Sequence, residues 1–307
     1  MSVPGRLESH LSHPSSRCLR HFLTGLWVAS VVGVLGSTAY MAITGGVDVP
    51  HVLEHRGVGD YLLPAGLSFV AQYVDASLGM GYGTTLSALL IMLGFPAQQV
   101  VIAVLLQQLV GGGIASAFHH AFGNADLRPD RQHFRLAMLL GGLGVVGSFV
   151  AATVAVSIPE RLLDSAIGAV ILTMGVVIFI ARYVHLRFSW WRAGVLGLIA
   201  GANKGFMGGG YGPLIVAGQI AIGDTMRQAI AVVALSEALS CVGGIVGYAL
   251  MAAPMPWALA GALVAGGLFS SFFAAATVRA IPAGGLKSVV AAVYLLLGGL
   301  TMYASLA

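Results

Sequence analysis

The sequence predicts an all-α polytopic membrane protein: an inverted repeat of two homologous halves, preceded by one extra N-terminal helix. Three observations carry this expectation. Of the 307 residues, 58% are hydrophobic and only 8% are Asp, Glu, Lys or Arg, where a soluble domain carries roughly 25% charged residues. The apolar stretches are long enough for helices that cross a hydrocarbon core about 30 Å thick. Two of the longest stretches are copies of one another.

The same composition excludes other classes. A soluble enzyme or a nucleic-acid binder needs charged surface, and the formal +4 here comes from 15 basic residues spread along the chain. An outer-membrane barrel would alternate polarity over segments of roughly 10 residues. Cys18 and Cys241 offer neither a disulfide framework nor a metal spacing, and no cofactor is expected.

In chain order, residues 1–21 form a basic tail with Arg6, Arg17 and Arg20. Residues 22–44 follow without a single charge. That run exceeds the roughly 7–15 apolar residues of a cleavable signal, so it reads as a retained transmembrane helix. Further apolar segments lie at about 62–93, 98–118, 136–156, 164–181, 193–222, 228–251, 256–277 and 284–305. The segments beginning at 62 and 193 are anomalous. Each is longer than a single crossing needs, is broken by a glycine cluster and carries a charge in its middle.

One constant offset, the one that carries position 79 onto position 208, relates these two segments without a gap. It places Gly79, Gly81, Tyr82 and Gly83 on Gly208, Gly210, Tyr211 and Gly212, and gives twelve identities over the 42 positions 67–108. After a six-residue shortening, Ser148, Phe149, Ile158 and Pro159 fall on Ser271, Phe272, Ile281 and Pro282. The first repeat is therefore assigned to 62–181 and the second to 193–307.

Loop charges set the orientation, because Lys and Arg near helix ends stay cytoplasmic. The tail is basic, and the loops at 119–135 and 182–192 each carry three Arg. If the segment at 62–93 crossed once, the loop at 119–135 would lie outside. If it enters and returns as a re-entrant hairpin, and the segment at 193–222 does the same, every basic loop falls inside. Each half then holds a glycine-broken hairpin plus three transmembrane helices. That odd count inverts the second half, leaving the N-terminus cytoplasmic and the C-terminus outside a cytoplasmic (cell) membrane. Inverted repeats with interrupted helices at the midplane are the architecture of secondary transporters.

The hairpin tips are Gly79-Met80-Gly81-Tyr82-Gly83-Thr84 and Gly208-Gly209-Gly210-Tyr211-Gly212-Pro213. Thr84 is placed as an N-cap and Pro213 at a first helical position, so that each tip starts a new helix. A helix start carries unpaired N–H groups and partial positive charge, which suits an anion; close packing of membrane helices through small residues is the alternative. Asp75 and Lys204 occupy equivalent positions just before the clusters. Each charge at mid-bilayer costs about 2.5–3.5 kcal/mol, so the two are expected to face the interior and one another. They serve either as anion attractor and gate or as a plain ion pair. Glu237 matches Gln108 in the repeat; both are assigned to coupling or gating, with local hydrogen bonding as the other reading. Asn203 joins the lining, and the Tyr82 and Tyr211 hydroxyls either meet an oxyanion or pack. His119, His120, Asp126 and His133 lie close in sequence, yet loop histidines are usually solvated, and no metal is assigned.

At these residues the chain resembles the TauE/SafE sulfite exporter family, also called the toluene sulfonate uptake permeases. The resemblance rests on two homologous halves, each opening with a glycine motif, here DASLGMGYGTTLSALLIMLGFP at 75–96 and NKGFMGGGYGP at 203–213. Gly79-Met80-Gly81 departs from the glycine triplet common in the family's first half. The resemblance implies transport of sulfite, sulfonates or related sulfur-containing anions. The expectation is thus a transporter, with export of a small anion by alternating access at the midplane. Its partners are a small anionic substrate, the lipid bilayer and protons as a candidate coupling ion, with no nucleic acid. An anion channel and a non-transporting scaffold or sensor are the competing readings. An intramembrane aspartyl protease would need a second Asp, so enzyme chemistry is not expected.

Overall fold

A computed structural model of the chain describes residues 58–79, 81–158 and 188–280. The basic tail, the first apolar segment at 22–44 and the segments at 164–181 and 284–305 lie outside the described residues. After a short 3-10 turn at Val58–Tyr61, the described elements are α1 Leu62–Leu78, α2 Tyr82–Met92, α3 Ala97–Ala121, α4 Gln132–Val156, α5 Trp190–Met207, α6 Tyr211–Ala221, α7 Met226–Leu250, α8 Trp257–Leu268 and α9 Ser270–Ala280. Among the described residues, four stretches are long and apolar enough to cross a membrane: α3, α4, α7 and the α8–α9 pair taken together.

The offset that relates the two sequence copies also relates the helices. Applied to the bounds of α2 and α3, it lands on the bounds of α6 and α7. The turns between them match too, with Gly94 at φ +78° and Gly223 at φ +99°. Both need a residue without a Cβ penalty in the left-handed region. The second turn is fixed by a capping box in which Thr225 and Gln228 satisfy one another's backbone N–H groups.

Small residues let the helices approach backbone to backbone. A Cβ at Gly201 would lie 2.5 Å from the Gly144 Cα, one at Gly205 would strike the Ser148 backbone, and one at Gly243 would strike that of Val145. Contacts of 140 with 197, 144 with 201 and 148 with 205 advance together, as do 141 with 239, 145 with 243 and 149 with 247. Hence α4, α5 and α7 run in the same direction. In contrast, Gly112 meets Ala234 and Ala238 while Leu105 meets Gly244, so α3 runs against α7. On the other side of the molecule, α1 runs alongside α8 and α9, with Ala65 against Gly266, Gln72 bonded to Ser271 and Tyr73 to Thr277. Close small-residue packing of this kind is how helices associate where lipid removes the hydrophobic drive between them.

The outward face of α4 presents Leu143, Val146, Val150 and Val154. In a chain with so little charge this face belongs to lipid, not water. The segment expected as one helix at 256–277 is interrupted at Phe269. There the Ser270 hydroxyl donates to the Gly267 carbonyl at 2.6 Å, a back-bond that bends helices.

In the loop after α3, Arg128 and Arg131 contact Asp126 at 2.8 and 3.1 Å. Hydrogen bonding from Arg128 holds the Asp126 carboxyl well below the usual carboxylate range. Its contribution to loop order is present above the ordinary Asp range and is lost only as the pH falls through that lowered value. Amide protection in this loop, measured relative to the intrinsic exchange rate at each pH, is therefore expected to stay constant across mildly acidic pH.

Candidate functional site

Each anomalous segment is two helices joined by a glycine turn. In the first, α1 stops at Leu78 because Gly79 adopts φ +76° and its N–H closes onto the Asp75 carbonyl at 2.6 Å. In the second, Gly208 adopts φ +73° and its N–H closes onto the Lys204 carbonyl at 2.9 Å. New helices start after Gly81 at φ +117° and Gly210 at φ +79°. A side chain at any of these four positions would cost about 1–2 kcal/mol for the left-handed conformation. Gly208→Ala is accordingly expected to lower stability by about that amount, measurable as a shift in detergent unfolding.

The glycines, not their neighbours, are the caps. Thr84 stands at the third helical position, and its hydroxyl donates back to the Gly81 carbonyl at 3.3 Å. Pro213 likewise stands third rather than first in α6. A first-turn proline loses nothing there, since the first four N–H groups have no partner inside the helix.

The two tips touch. A Cβ on Gly83 would strike the Gly208 carbonyl and lie 2.6 Å from the Gly209 Cα, and one on Gly209 would lie 2.7 Å from the Gly83 carbonyl carbon. Gly83 and Gly209 therefore bring two helix starts into backbone contact and fill the space between them. Ser87 on α2 donates to the Met207 carbonyl at 3.4 Å, a second tie across the same junction. Gly212 and Tyr211 are buried at the start of α6, the Tyr211 ring lying against α4 near Gly144.

Among the described residues, the acidic and lysine side chains buried in the apolar core, Asp75, Lys204 and Glu237, sit around this junction, and their pairing corrects the sequence expectation. Lys204 does not take Asp75 as its direct partner. Its Nζ donates to Glu237 Oε1 at 2.6 Å, with both side chains almost completely buried. One of three ammonium N–H groups is used in that bond. Asp75 is held instead by neutral donors: the Tyr82 backbone N–H reaches Oδ1 at 3.1 Å and Gln108 Nε2 reaches Oδ2 at 3.2 Å. The reason is the repeat itself. Positions 75 and 108 bond in the first copy, and the equivalent positions 204 and 237 bond in the second. The acceptor stands on α1 in one copy and on α7 in the other.

Further polar residues, among them Ser68, Gln72, Gln107 and Asn124, which sequence reasoning passes over, complete the surroundings. The Tyr82 hydroxyl pairs with Ser68 Oγ at 2.8 Å, and Ser68 donates to the Leu263 carbonyl at 2.6 Å. The Tyr82 proton is thus used within the protein. Gln107 donates to Gln72 at 3.0 Å. Buried His119 lies 2.8 Å from the Ala76 carbonyl through Nε2 and 2.9 Å from Asn124 through Nδ1, and Asn124 also donates to the Ala275 carbonyl at 3.0 Å. His119 and Asn124 together tie the end of α1 to α3 and α9. His133 instead faces Asp224 at 3.8 Å. Asn203 is half-buried on α5, one residue and so about 100° from the face that carries Lys204. Gln72, Asp75, Gln108 and Glu237 line one small cavity between α1, α3 and α7, with room for about a single water molecule. The equal sequence separations of 75 from 108 and of 204 from 237 are the available signal for the Lys204–Glu237 pair.

Residues 63–301 match the family model described as Sulfite exporter TauE/SafE. The chain belongs to the TauE/SafE sulfite exporter family. The match begins one residue into α1 and continues past α9, so every described helix and both glycine tips of this TauE/SafE protein fall within it. A curated relative, the "Probable membrane transporter protein YtnM" of Bacillus subtilis (strain 168), is 26% identical over 223 residues, covering 69% of this chain and 72% of its own length. No solved structure gives a significant match. Membership in TauE/SafE and the apolar helices together make this a multi-pass membrane protein of a transporter family.

Proposed function

We propose that this TauE/SafE protein is a carrier of small sulfur-containing anions, sulfite or a sulfonate, that works by alternating access between two inverted repeats. The observation that carries the reading is the meeting of two glycine-capped helix starts beside Lys204, Asp75 and Glu237. Helix starts supply N–H donors and partial positive charge, and Lys204 supplies a full one. Interrupted helices that aim such ends at the midplane suit an anionic substrate. With Gly83 and Gly209 in contact the junction is closed, so substrate entry requires the tips to part. The helix directions support the inversion: α1 and α2 open toward the side where α3 begins, and α5 and α6 toward the side where α7 begins, while α3 and α7 run oppositely.

In this reading both broken segments are re-entrant, and the side holding Arg128, Arg131 and Arg135 is cytoplasmic. An otherwise cysteine-free protein with a cysteine at Pro254 is expected to react with an impermeant maleimide from outside the cell. One with a cysteine at Asp130 should react only after permeabilisation. The opposite pattern contradicts the assigned topology.

A carrier with no coupled ion would export, because a negative-inside potential drives an anion outward at about 2.3 kcal/mol per 100 mV; with a coupled proton the ion gradients set the direction instead. A channel is the second reading. Saturable flux with counterflow, tested for sulfite, sulfate, sulfoacetate, taurine and chloride in proteoliposomes, separates the two. Flux that rises linearly with concentration and shows no counterflow would indicate a channel.

A further inference from the structure

The embedded charges around the tips do not balance, and the imbalance falls on one residue. Lys204 and Glu237 neutralise one another across 2.6 Å. Asp75 has only uncharged donors, the Tyr82 N–H and the Gln108 carboxamide. The ionised cluster therefore carries one net negative charge inside the apolar core. Asp75 also fills a defined place. Its Oδ1 accepts from the first N–H of α2, the position an anion would take at that helix start. Its counterpart in the second repeat is Lys204, so α6 has no such built-in carboxylate at its own start. An arriving anion faces Asp75 both as a competitor for donors and as a like charge.

We propose that Asp75 is a proton-binding residue that yields the start of α2 to the transported anion on protonation, so that each monoanion moves together with one proton. The inference rests on the carrier reading above. Ionised Asp75 accepts through both oxygens, which matches its two donors here. Protonated Asp75 must donate, and Gln108 can accept by turning its carboxamide over, since its Nε2 and Oε1 differ in role but scarcely in shape. The water-sized cavity shared by Gln72, Asp75, Gln108 and Glu237 gives that rearrangement space. Glu237 is unsuited to the task because its proton would leave Lys204 as an unpaired buried cation.

The remaining groups around Asp75 leave this assignment intact. Tyr73 on α1 and Tyr82 on α2 bond to Thr277 and Ser68. His119 on α3 bonds to the carbonyl next to Asp75 in sequence, that of Ala76. Lys204 on α5 and Glu237 on α7 are paired. Tyr211 on α6 and Cys241 on α7 are buried, and the charged residue of α9, Arg279, stands in its last turn.

A charge count gives the sharpest consequence. The empty cluster, with Asp75 ionised, carries one negative charge. The loaded cluster, with Asp75 protonated and a monoanion bound, carries one as well. Both halves of the cycle then move the same charge, and transport is electroneutral. Membrane potential drops out, and the anion and pH gradients together set the direction of net flux.

The test uses the full chain in proteoliposomes with labelled methanesulfonate, a monoanion that does not titrate near neutrality, and sulfite in parallel. Wild-type uptake is expected to rise when the outside is made acidic, by up to about tenfold per pH unit, and to stay unchanged when a potassium–valinomycin potential is imposed. Asp75→Asn keeps an acceptor for the Tyr82 N–H. It should transport without pH dependence and respond to potential, approaching an accumulation ratio of about 50-fold per 100 mV for an uncoupled monoanion. Wild-type flux that follows potential and ignores pH overturns the proton assignment while leaving the carrier reading in place. Failure of both anions to show counterflow overturns the carrier reading and this proposal with it. Because the wild-type arms decide alone, the inference survives or falls even if the variant does not fold.

Discussion

Replacing Lys204 with Met is expected to destabilise the protein by about 3–5 kcal/mol, the cost of leaving one member of a buried ion pair without its partner. Glu237 accepts from Lys204 at 2.6 Å and has almost no access to solvent, so the substitution strands a carboxylate in an apolar interior. The double variant Lys204→Met with Glu237→Leu should recover most of the loss, because two apolar side chains need no pairing. Denaturant unfolding in detergent, followed by tryptophan fluorescence, measures both. A single variant as stable as wild type would mean that the pair does not form. Asp75→Asn gives the contrast. Its Oδ1 still accepts from the Tyr82 N–H, and its Nδ2 can donate to Gln108 once that carboxamide turns over, so the loss should stay below about 1.5 kcal/mol.

Gly83→Val is the second large effect. The first carbon of any side chain at Gly83 would enter the Gly208 carbonyl and the Gly209 backbone, and backbone atoms cannot move aside as a flexible side chain can. Overpacking usually costs about 1–3 kcal/mol, and valine at a backbone-to-backbone contact should lie at or above the top of that range. Transport should be lost even where the variant still folds, because the two helix starts can no longer approach. Gly209→Ala should act in the same direction. Gly113→Ala on α3, where nothing lies within 4 Å of the added carbon, serves as the control and should be neutral or slightly stabilising, given the higher helix propensity of alanine. Thermal unfolding and anion flux on the three variants check this order. Equal behaviour of Gly83→Val and Gly113→Ala would mean that the tips do not meet.

Much of the fold is legible in the chain because a bilayer leaves few options. Backbone groups in lipid must bond within helices or closed barrels, so apolar length alone locates α3, α4 and α7 to within a few positions. The internal duplication also exposes the two breaks, since glycines at Gly79, Gly81, Gly208 and Gly210 recur where helices must stop and restart. The details that escape a sequence reading depend on geometry that residue identity does not encode. Thr84 has the chemistry of an N-cap, yet the glycine ahead of it takes that place because the chain must turn through φ +117° there. Asp75 and Lys204 have opposite charges at equivalent positions, which suggests a pair. Equivalent positions in a repeat, however, have equivalent neighbours, and position 75 neighbours 108 as 204 neighbours 237. Ser68, Gln72, Gln107 and Asn124 go unnoticed in the sequence because a single polar residue in an apolar helix has no period, and only packing reveals its partner. His119 is seen there only as a solvated loop histidine, whereas it is buried in the last turn of α3 and bonded on both ring nitrogens.

The most direct test of the carrier reading is counterflow of labelled sulfite in proteoliposomes, comparing wild type with the Lys204→Met, Glu237→Leu double variant after both are shown to be folded. Wild type is expected to show saturable counterflow and the variant none, because the charge that draws the anion to the two helix starts is gone. Undiminished saturable counterflow in the folded double variant would contradict the role assigned to Lys204 and the anion site built around it.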